Sequence, residues 1–404
     1  MAIDEESRRR RSLSRSGLSN GGYLGPCHAA IETNAIDWQF RMNLTELDYY
    51  LPPNSIAQRP LPERDASRML LLARTSGAWQ DRAFRELPDL LRGDELIVIN
   101  NVRVIPARLF GKRAGLHAQP LGKHNPARGE FLQSEIEVLL LKPLSADTWE
   151  ALVRPGRKIT TGEKITFGNG ELEACVKSHG KFGLRVLQFQ SRDGFHETLG
   201  HLGHIPLPPY IQRADEPADR ERYQTIFARA GNAVAAPTAG LHFTPAILDR
   251  IRARGIETAE ITLDVGLGTF EPVRAERIED HPIHRETYEI PASAAAAIAR
   301  ARREGRPVLA VGTTVVRALE DSAEKSVGSD RIVTSGKAEA GILLYPGKPF
   351  RVVDQLLTNF HLPRSTLLAL VAGFAGAEKV LRAYRHAVDA GYRFYSYGDC
   401  MLIR

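Results

Sequence analysis

Ala235-Ala236-Pro237-Thr238-Ala239-Gly240-Leu241-His242-Phe243-Thr244 follows an apolar run, Ala233 to Ala236, and leads into a helical pattern that begins at Pro245. Thr244 reads as an N-cap with proline at the first helical position, a pairing that satisfies orphan N–H groups and pre-sets the helical φ. A strand, a small-residue loop and a helix N-terminus in succession form a place where backbone donors meet an anionic or polar ligand. The same arrangement recurs twice downstream. Pro307 to Val311 meets Gly312-Thr313-Thr314 and a helix through Leu319. Val352 to Leu357 meets Thr358-Asn359-Phe360-His361-Leu362-Pro363-Arg364 and a helix capped by Ser365. In open α/β sheets ligands lie outside the carboxyl ends of the strands, so parallel strands would bring these three loops to one crevice. Glu260 to Val265 reads as a further strand that runs into Gly266-Leu267-Gly268-Thr269-Phe270.

Upstream, Met69 to Ala73 and Leu96 to Ile99 are short apolar runs that read as buried strands, and Phe84 to Leu91 has helical spacing. The segment from Leu109 to Leu207 changes character. Ile136 to Leu141, Trp149 to Val153, Lys164 to Phe167, Leu172 to Val176 and Leu184 to Phe189 are β-rich runs separated by Gly, Pro and Asn turns, the pattern of a small barrel or sandwich. The fold expected is α/β: a mixed, largely parallel α/β catalytic domain (42–108 and 208–404) with an inserted small β-barrel domain (109–207). Residues 1–41 are rich in Ser, Gly and Arg without apolar periodicity and read as a disordered N-terminal extension, with Met42 resembling a natural start.

The 404 residues include 43% hydrophobic and 25% charged side chains, the composition of an ordinary globular protein. The longest apolar runs, such as Thr366 to Phe374, fall short of the roughly 18 to 20 residues that span a bilayer, so no membrane partner is expected and the location expected is cytoplasmic. Three cysteines without C-x-x-C spacing suggest neither a disulfide framework nor zinc. The formal net charge of +6 is compatible with a polyanionic partner without requiring one.

His281, His284 and Glu286 stand close in sequence, but the spacing is not the helical H-E-x-x-H pattern and Pro282 breaks a helix. Hydrogen-bonding or substrate-contact roles are expected of them, and no metal. His242 and His361 sit in strand-to-helix loops and are acid/base candidates, because imidazole titrates near neutrality. Arg317 in a first helical turn and Arg364 just before a cap are placed to hold a carboxylate or phosphate. Tyr392 to Asp399 interleaves aromatics with Arg and Asp, as a core edge strand or a base-stacking wall would. No Gly-x-Ser-x-Gly elbow, Walker A loop or kinase set occurs.

Several motifs together resemble the S-adenosylmethionine:tRNA ribosyltransferase-isomerase family of queuosine biosynthesis. They are Tyr223-Gln224-Thr225, Ala235 to Phe243, Val265 to Phe270, His281-x-x-His284-x-Glu286, Val311 to Leu319, Leu357 to Thr366 and Tyr392 to Leu402, joined upstream by Leu47 to Leu71 and Asp94 to Gly111. The resemblance runs from about Met42 to the C-terminus in unbroken order. It implies a monomeric or weakly associating enzyme that transfers and isomerises the ribosyl part of S-adenosylmethionine onto 7-aminomethyl-7-deazaguanine. That base sits at the wobble position of a tRNA with a GUN-type anticodon, and the products are epoxyqueuosine-tRNA, adenine and methionine. S-adenosylmethionine is then a consumed substrate, with no cofactor. In this setting His242, His361 and Asp399 are the catalytic candidates. Thr238, Gly240, Gly266, Gly268, Thr269, Arg317 and Arg364 are expected to bind substrate, and Arg64, Arg68 and Arg103 to contact tRNA phosphates. Asp264 departs from the family's pattern, which has His before Val-Gly-x-Gly-Thr-Phe, and the loop Ala114 to Phe131 is longer and more basic than usual. Two other readings stay open: an S-adenosylmethionine-dependent RNA methyltransferase of unusual fold, and a non-catalytic RNA-binding protein.

Overall fold

Four runs buried along their whole length, Leu96–Asn100, Val308–Val311, Gln355–Asn359 and Cys400–Ile403, form the middle of a nine-stranded sheet. Strands covered on both faces have no polar side to alternate with, which is why these runs show no alternation of exposed and buried residues. The computed structural model describes residues 42–114, 135–156, 159–266, 275–329 and 331–404. The expectations for residues 1–41, for Gly268 and Thr269, and for the loop Ala114 to Phe131 beyond Ala114 lie outside the described residues.

In chain order the strands are β1 Arg68–Leu72, β2 Trp79–Ala83, β3 Leu96–Asn100, β4 Val102–Val104, β5 Arg108–Arg113, β6 Ile136–Pro143, β7 Thr148–Arg154, β8 Lys164–Phe167 and β9 Leu172–His179. They continue as β10 Leu184–Ser191, β11 Ala230–Ala233, β12 Glu257–Leu263, β13 Glu286–Ile290, β14 Val308–Val311, β15 Gly336–Ala340, β16 Gln355–Asn359 and β17 Cys400–Ile403. The longer helices are α1 Phe195–Leu202, α2 Pro245–Ala253, α3 Ala292–Arg303, α4 Thr313–Lys325, α5 Thr366–Ala375 and α6 Ala377–Asp389.

The large sheet has the order β15-β13-β12-β3-β14-β16-β17-β1-β2. β12, β3, β14 and β16 run parallel, β17 turns back antiparallel to β16, and β1 is parallel to β17. The α/β sheet is therefore mixed, as expected. Between β4 and β11 the chain builds a closed antiparallel barrel, β10-β7-β6-β5-β8-β9. Its strands alternate buried and less buried residues, and Trp149, Phe167, Leu172, Leu187 and Phe189 fill the interior.

Thr244 caps α2 by accepting the Ile247 N–H at 3.3 Å, and Ser365 caps α5 by accepting the Leu368 N–H at 3.1 Å, both as the sequence indicates. Three local expectations are corrected. The apolar run Ala233 to Ala236 is not a strand of the large sheet, because β11 ends at Ala233 and pairs with β4 in a separate two-stranded sheet. Pro237 cannot donate to a ladder, and Thr238–His242 instead forms a 3-10 turn. Phe84 to Leu91 is a 3-10 turn followed by one α-helical turn, Leu87–Leu90, and Tyr392 to Asp399 contains no strand. Among the described residues no helix is long and apolar enough to cross a membrane.

Candidate active site

β14 and β16 are parallel neighbours, so their carboxyl ends open side by side. β14 turns into α4 through Gly312 at φ +94°, a left-handed conformation that favours glycine, and the turn delivers Thr313 and Thr314. β16 delivers Thr358, Asn359, Phe360 and His361. The 3-10 turn brings Pro237, Thr238 and Ala239 over the same ends, and Tyr210, Tyr395 and Ser396 close the far side. The result is a cleft open to solvent. The three sequence loops do converge, although only two of them leave strands of the large sheet.

Behind the cleft wall lies a chain of hydrogen bonds that fixes one amide. Asn359 Nδ2 faces the Tyr395 carbonyl at 3.1 Å, the Asp399 carbonyl at 3.4 Å and His242 Nε2 at 3.3 Å. Two carbonyls can only accept, so the end of Asn359 that faces them is its NH₂. His242 Nε2 then accepts as well, its proton resides on Nδ1, and that N–H donates to Ser67 Oγ at 2.9 Å. Asn359 Oδ1 is left buried without a hydrogen-bond partner among the described residues, and Thr314 Oγ1 is in the same condition.

Both histidines were expected to titrate near neutrality, and burial prevents it. Desolvation pulls His242 down to about 3, helped by the nearby charges of Arg393 and Arg64, and desolvation alone brings His361 to about 3. His361 lines the cleft and its Nε2 lies 2.8 Å from Thr358 Oγ1, whereas His242 stands behind Asn359. At neutral pH both are uncharged.

The other sequence candidates separate. Thr238 lines the cleft. Gly240 does not: a Cβ there would lie 2.7 Å from Phe227 Cζ and 2.8 Å from Thr225 Cγ2, so its missing side chain serves packing rather than ligand approach. Gly240→Ala is accordingly expected to lower unfolding free energy by about 1–3 kcal/mol, read from denaturant melts, while the Michaelis constant for the small substrate stays within twofold. Gly266 N–H donates to Glu286 Oε1 at 3.1 Å. Arg317 is buried against Glu286 Oε2 in a second cleft of about 440 Å³, lined also by His281 and His284, that meets the first at Leu367. Among the described residues no group of three or more His, Cys, Asp or Glu side chains is placed to hold a metal ion.

Arg364 pairs with Asp48 at the surface, its Nε 2.8 Å from Asp48 Oδ2, and does not reach the cleft. Asp399 is consumed by the backbone, accepting the Arg68 N–H at 2.9 Å and the Arg393 N–H at 2.8 Å, and burial raises its carboxyl above the usual range. It shapes the 392–399 turn instead of facing substrate. Arg64 gives its guanidinium to the carbonyls of Glu221, Gln224 and Leu241. Arg68 stacks on Tyr392 at 3.8 Å and donates to the Ala390 carbonyl. Both guanidiniums satisfy backbone carbonyls, and the Arg68 side chain stays 40% exposed beside Asp81. Arg103 is exposed on β4. Asp264 accepts the Asn232 N–H at 3.0 Å and so ties the end of β12 to β11.

Sequence reading found the loops and offered the 392–399 stretch as a wall, but did not name Asn359, Thr314 or Tyr210 as site residues. The available signal was a buried strand that ends in polar residues, as Thr358 and Asn359 end β16.

Comparison with known proteins gives a consistent picture. Residues 44–403 match the family described as queuosine biosynthesis protein. An S-adenosylmethionine:tRNA ribosyltransferase-isomerase of Solibacter usitatus is 53% identical over 364 residues, covering 90% of this chain and 100% of that protein. The protein of the same name from Moorella thermoacetica is 50% identical over 363 residues, with coverage of 90% and 100%. A crystal structure of S-adenosylmethionine tRNA ribosyltransferase from Thermotoga maritima aligns at a TM-score of 0.48 with 33% identity, covering 89% of this chain and 100% of that one.

Proposed function

The chain belongs to the queuosine biosynthesis protein family, and from that premise we propose that its cleft is where S-adenosylmethionine gives up its ribosyl group to tRNA. The enzyme is an S-adenosylmethionine:tRNA ribosyltransferase-isomerase. It moves and isomerises the ribosyl moiety onto 7-aminomethyl-7-deazaguanine at the anticodon wobble position, leaving epoxyqueuosine-tRNA, adenine and methionine. The observation that carries the placement is the convergence of three family-motif loops on one cleft whose wall holds a buried, unpartnered amide oxygen.

The sulfonium of S-adenosylmethionine acidifies the neighbouring C–H, so a modest base suffices. His361 is the imidazole on the cleft wall and is the base candidate, and the burial that keeps it neutral weakens it as a base. His242 acts one layer back through Asn359. S-adenosylmethionine is consumed, and neither a metal nor a resident cofactor takes part. The partner is a GUN-anticodon tRNA met in the cytoplasm by a monomer. Its phosphates are contacted by Arg103 and by exposed barrel lysines such as Lys112, Lys177 and Lys181. An anticodon loop makes the required unstacking of the target base inexpensive.

Incubation with S-adenosylmethionine and tRNA carrying the 7-aminomethyl base is expected to release adenine and methionine in equal amounts. S-adenosylhomocysteine as the product would instead establish a methyltransferase, and no turnover would leave RNA binding alone. Affinity for tRNA is expected to fall linearly with salt on a log–log plot, at about 0.7–0.9 per phosphate contact. A salt-independent affinity would rule out the basic contact surface.

A further inference from the structure

Asn359 lines the cleft and carries a buried amide oxygen that meets no donor among the described residues, and the orientation of the amide is not free. Its NH₂ end is held by the Tyr395 and Asp399 carbonyls and by His242 Nε2, and His242 is held in turn by Ser67. Asn359 is 2% exposed and its Oδ1 meets no donor among the described residues. A buried acceptor left unsatisfied is costly, and fixing it by a three-residue chain makes sense only if a donor arrives from outside. Thr314 Oγ1, on the neighbouring α4 N-terminus, lines the same cleft and also lacks a partner. The apolar part of the wall, Ala236, Val265, Phe360 and Leu367, suits the flat faces of a nucleoside more than the charged amino-acid end of a sulfonium substrate.

We propose that Asn359 Oδ1 accepts a hydrogen bond from the nucleoside half of S-adenosylmethionine, and that Ser67 and His242 are positioning residues that aim it. The proposal rests on the activity stated above and goes beyond it by naming the acceptor. Two donors share the required chemistry, the exocyclic amine of the base and a ribose hydroxyl. A rotated amide would put NH₂ into the cleft and set Oδ1 against two carbonyl oxygens, so the chain of contacts selects for a donor and against an acceptor at that point of the ligand.

The test measures dissociation constants of the full-length protein, with and without unmodified tRNA, for S-adenosylmethionine and its 6-oxo, 2′-deoxy and 3′-deoxy analogues. The wild type is expected to bind one analogue about 10- to 100-fold more weakly than the parent. The 6-oxo compound identifies the base as the donor, and a deoxy compound identifies a ribose hydroxyl. Asn359→Ala is expected to weaken the parent by a similar factor and to bind that one analogue no worse than the parent, closing a ligand–protein cycle. His242→Gln, which keeps an acceptor toward Asn359, is expected to retain the discrimination, and His242→Phe to lose it. Uniform weakening of all four ligands by Asn359→Ala, or discrimination that survives it, overturns the proposal, and discrimination that survives His242→Phe overturns the positioning role. A wild type that binds none of the four overturns the activity on which the inference stands.

Discussion

Replacing Arg317 by methionine is expected to lower the free energy of unfolding by about 3–5 kcal/mol, the cost of removing one partner from a buried ion pair. The Arg317 side chain is 10% exposed and that of Glu286 is 2% exposed, so water cannot substitute for the lost guanidinium. Arg317 Nη1 bonds Glu286 Oε2, and Nη2 reaches the carbonyls of His284 at 3.2 Å and Ala340 at 3.4 Å. Glu286 Oε1 meanwhile holds the Gly266 N–H, so the pair ties the first turn of α4 to β13, to β15 and to the loop after β12. Methionine keeps the volume of the arginine stem, which separates loss of charge from creation of a cavity. The double variant Arg317→Met with Glu286→Leu is expected to recover most of the loss, because an apolar pair of similar volume has no charge to desolvate. Chemical denaturation of the wild type and the two variants decides it. A single-variant loss below about 1 kcal/mol would mean that solvent reaches the carboxylate.

Acid is expected to destabilise the protein steeply through His242 and His361. Both have an ordinary value of 6.5, which the unfolded chain restores, and both are pulled down to about 3 in the fold. Above pH 6.5 neither state carries the protons and these groups add no pH dependence. Below 6.5 the unfolded state binds protons that the folded state refuses, so stability falls as pH falls, by roughly 1.4 kcal/mol per pH unit for each histidine until about pH 3. Over the two units from pH 6.5 to 4.5 the pair together contributes roughly 5 kcal/mol of loss. Buried Asp399, Glu320 and Asp264 act in the opposite sense, since burial raises their carboxyl pKa values and favours the protonated folded form. Comparing the wild type with His242→Gln and His361→Gln cancels those terms. Each variant is expected to show a slope shallower by about one proton over that range. Imidazole resonances assigned to His242 or His361 that titrate near pH 6.5 in the folded protein would refute the burial argument directly.

The two histidines also show how far sequence reading reaches. Their place in strand-to-helix loops was legible, because Gly, Pro and capping residues announce such loops by local chemistry. Their protonation was not, because desolvation depends on Phe84 stacked at 5.2 Å from His242 and on Ser67 and Asn359, which lie 175 and 117 residues away in the chain. Arg64 and Arg68 looked like phosphate contacts for the same reason: a lone arginine in sequence does not reveal which carbonyl it will meet.

By itself the sequence determined three of the four buried central strands, the barrel strands, the caps Thr244 and Ser365 and the loops that form the cleft, while Cys400–Ile403 was not read as a strand. Each of these follows from periodicity or from residues within four positions of one another. Only the tertiary structure decided that β11 stands outside the large sheet, that Gly240 serves packing, that Arg317 is locked to Glu286 and that the Asn359 oxygen is buried without a partner among the described residues. These depend on hydrogen-bond partners and solvent exclusion supplied by distant segments, and the run Ala235 to Thr244 acquires its role where β14, β16 and the 392–399 turn close around it.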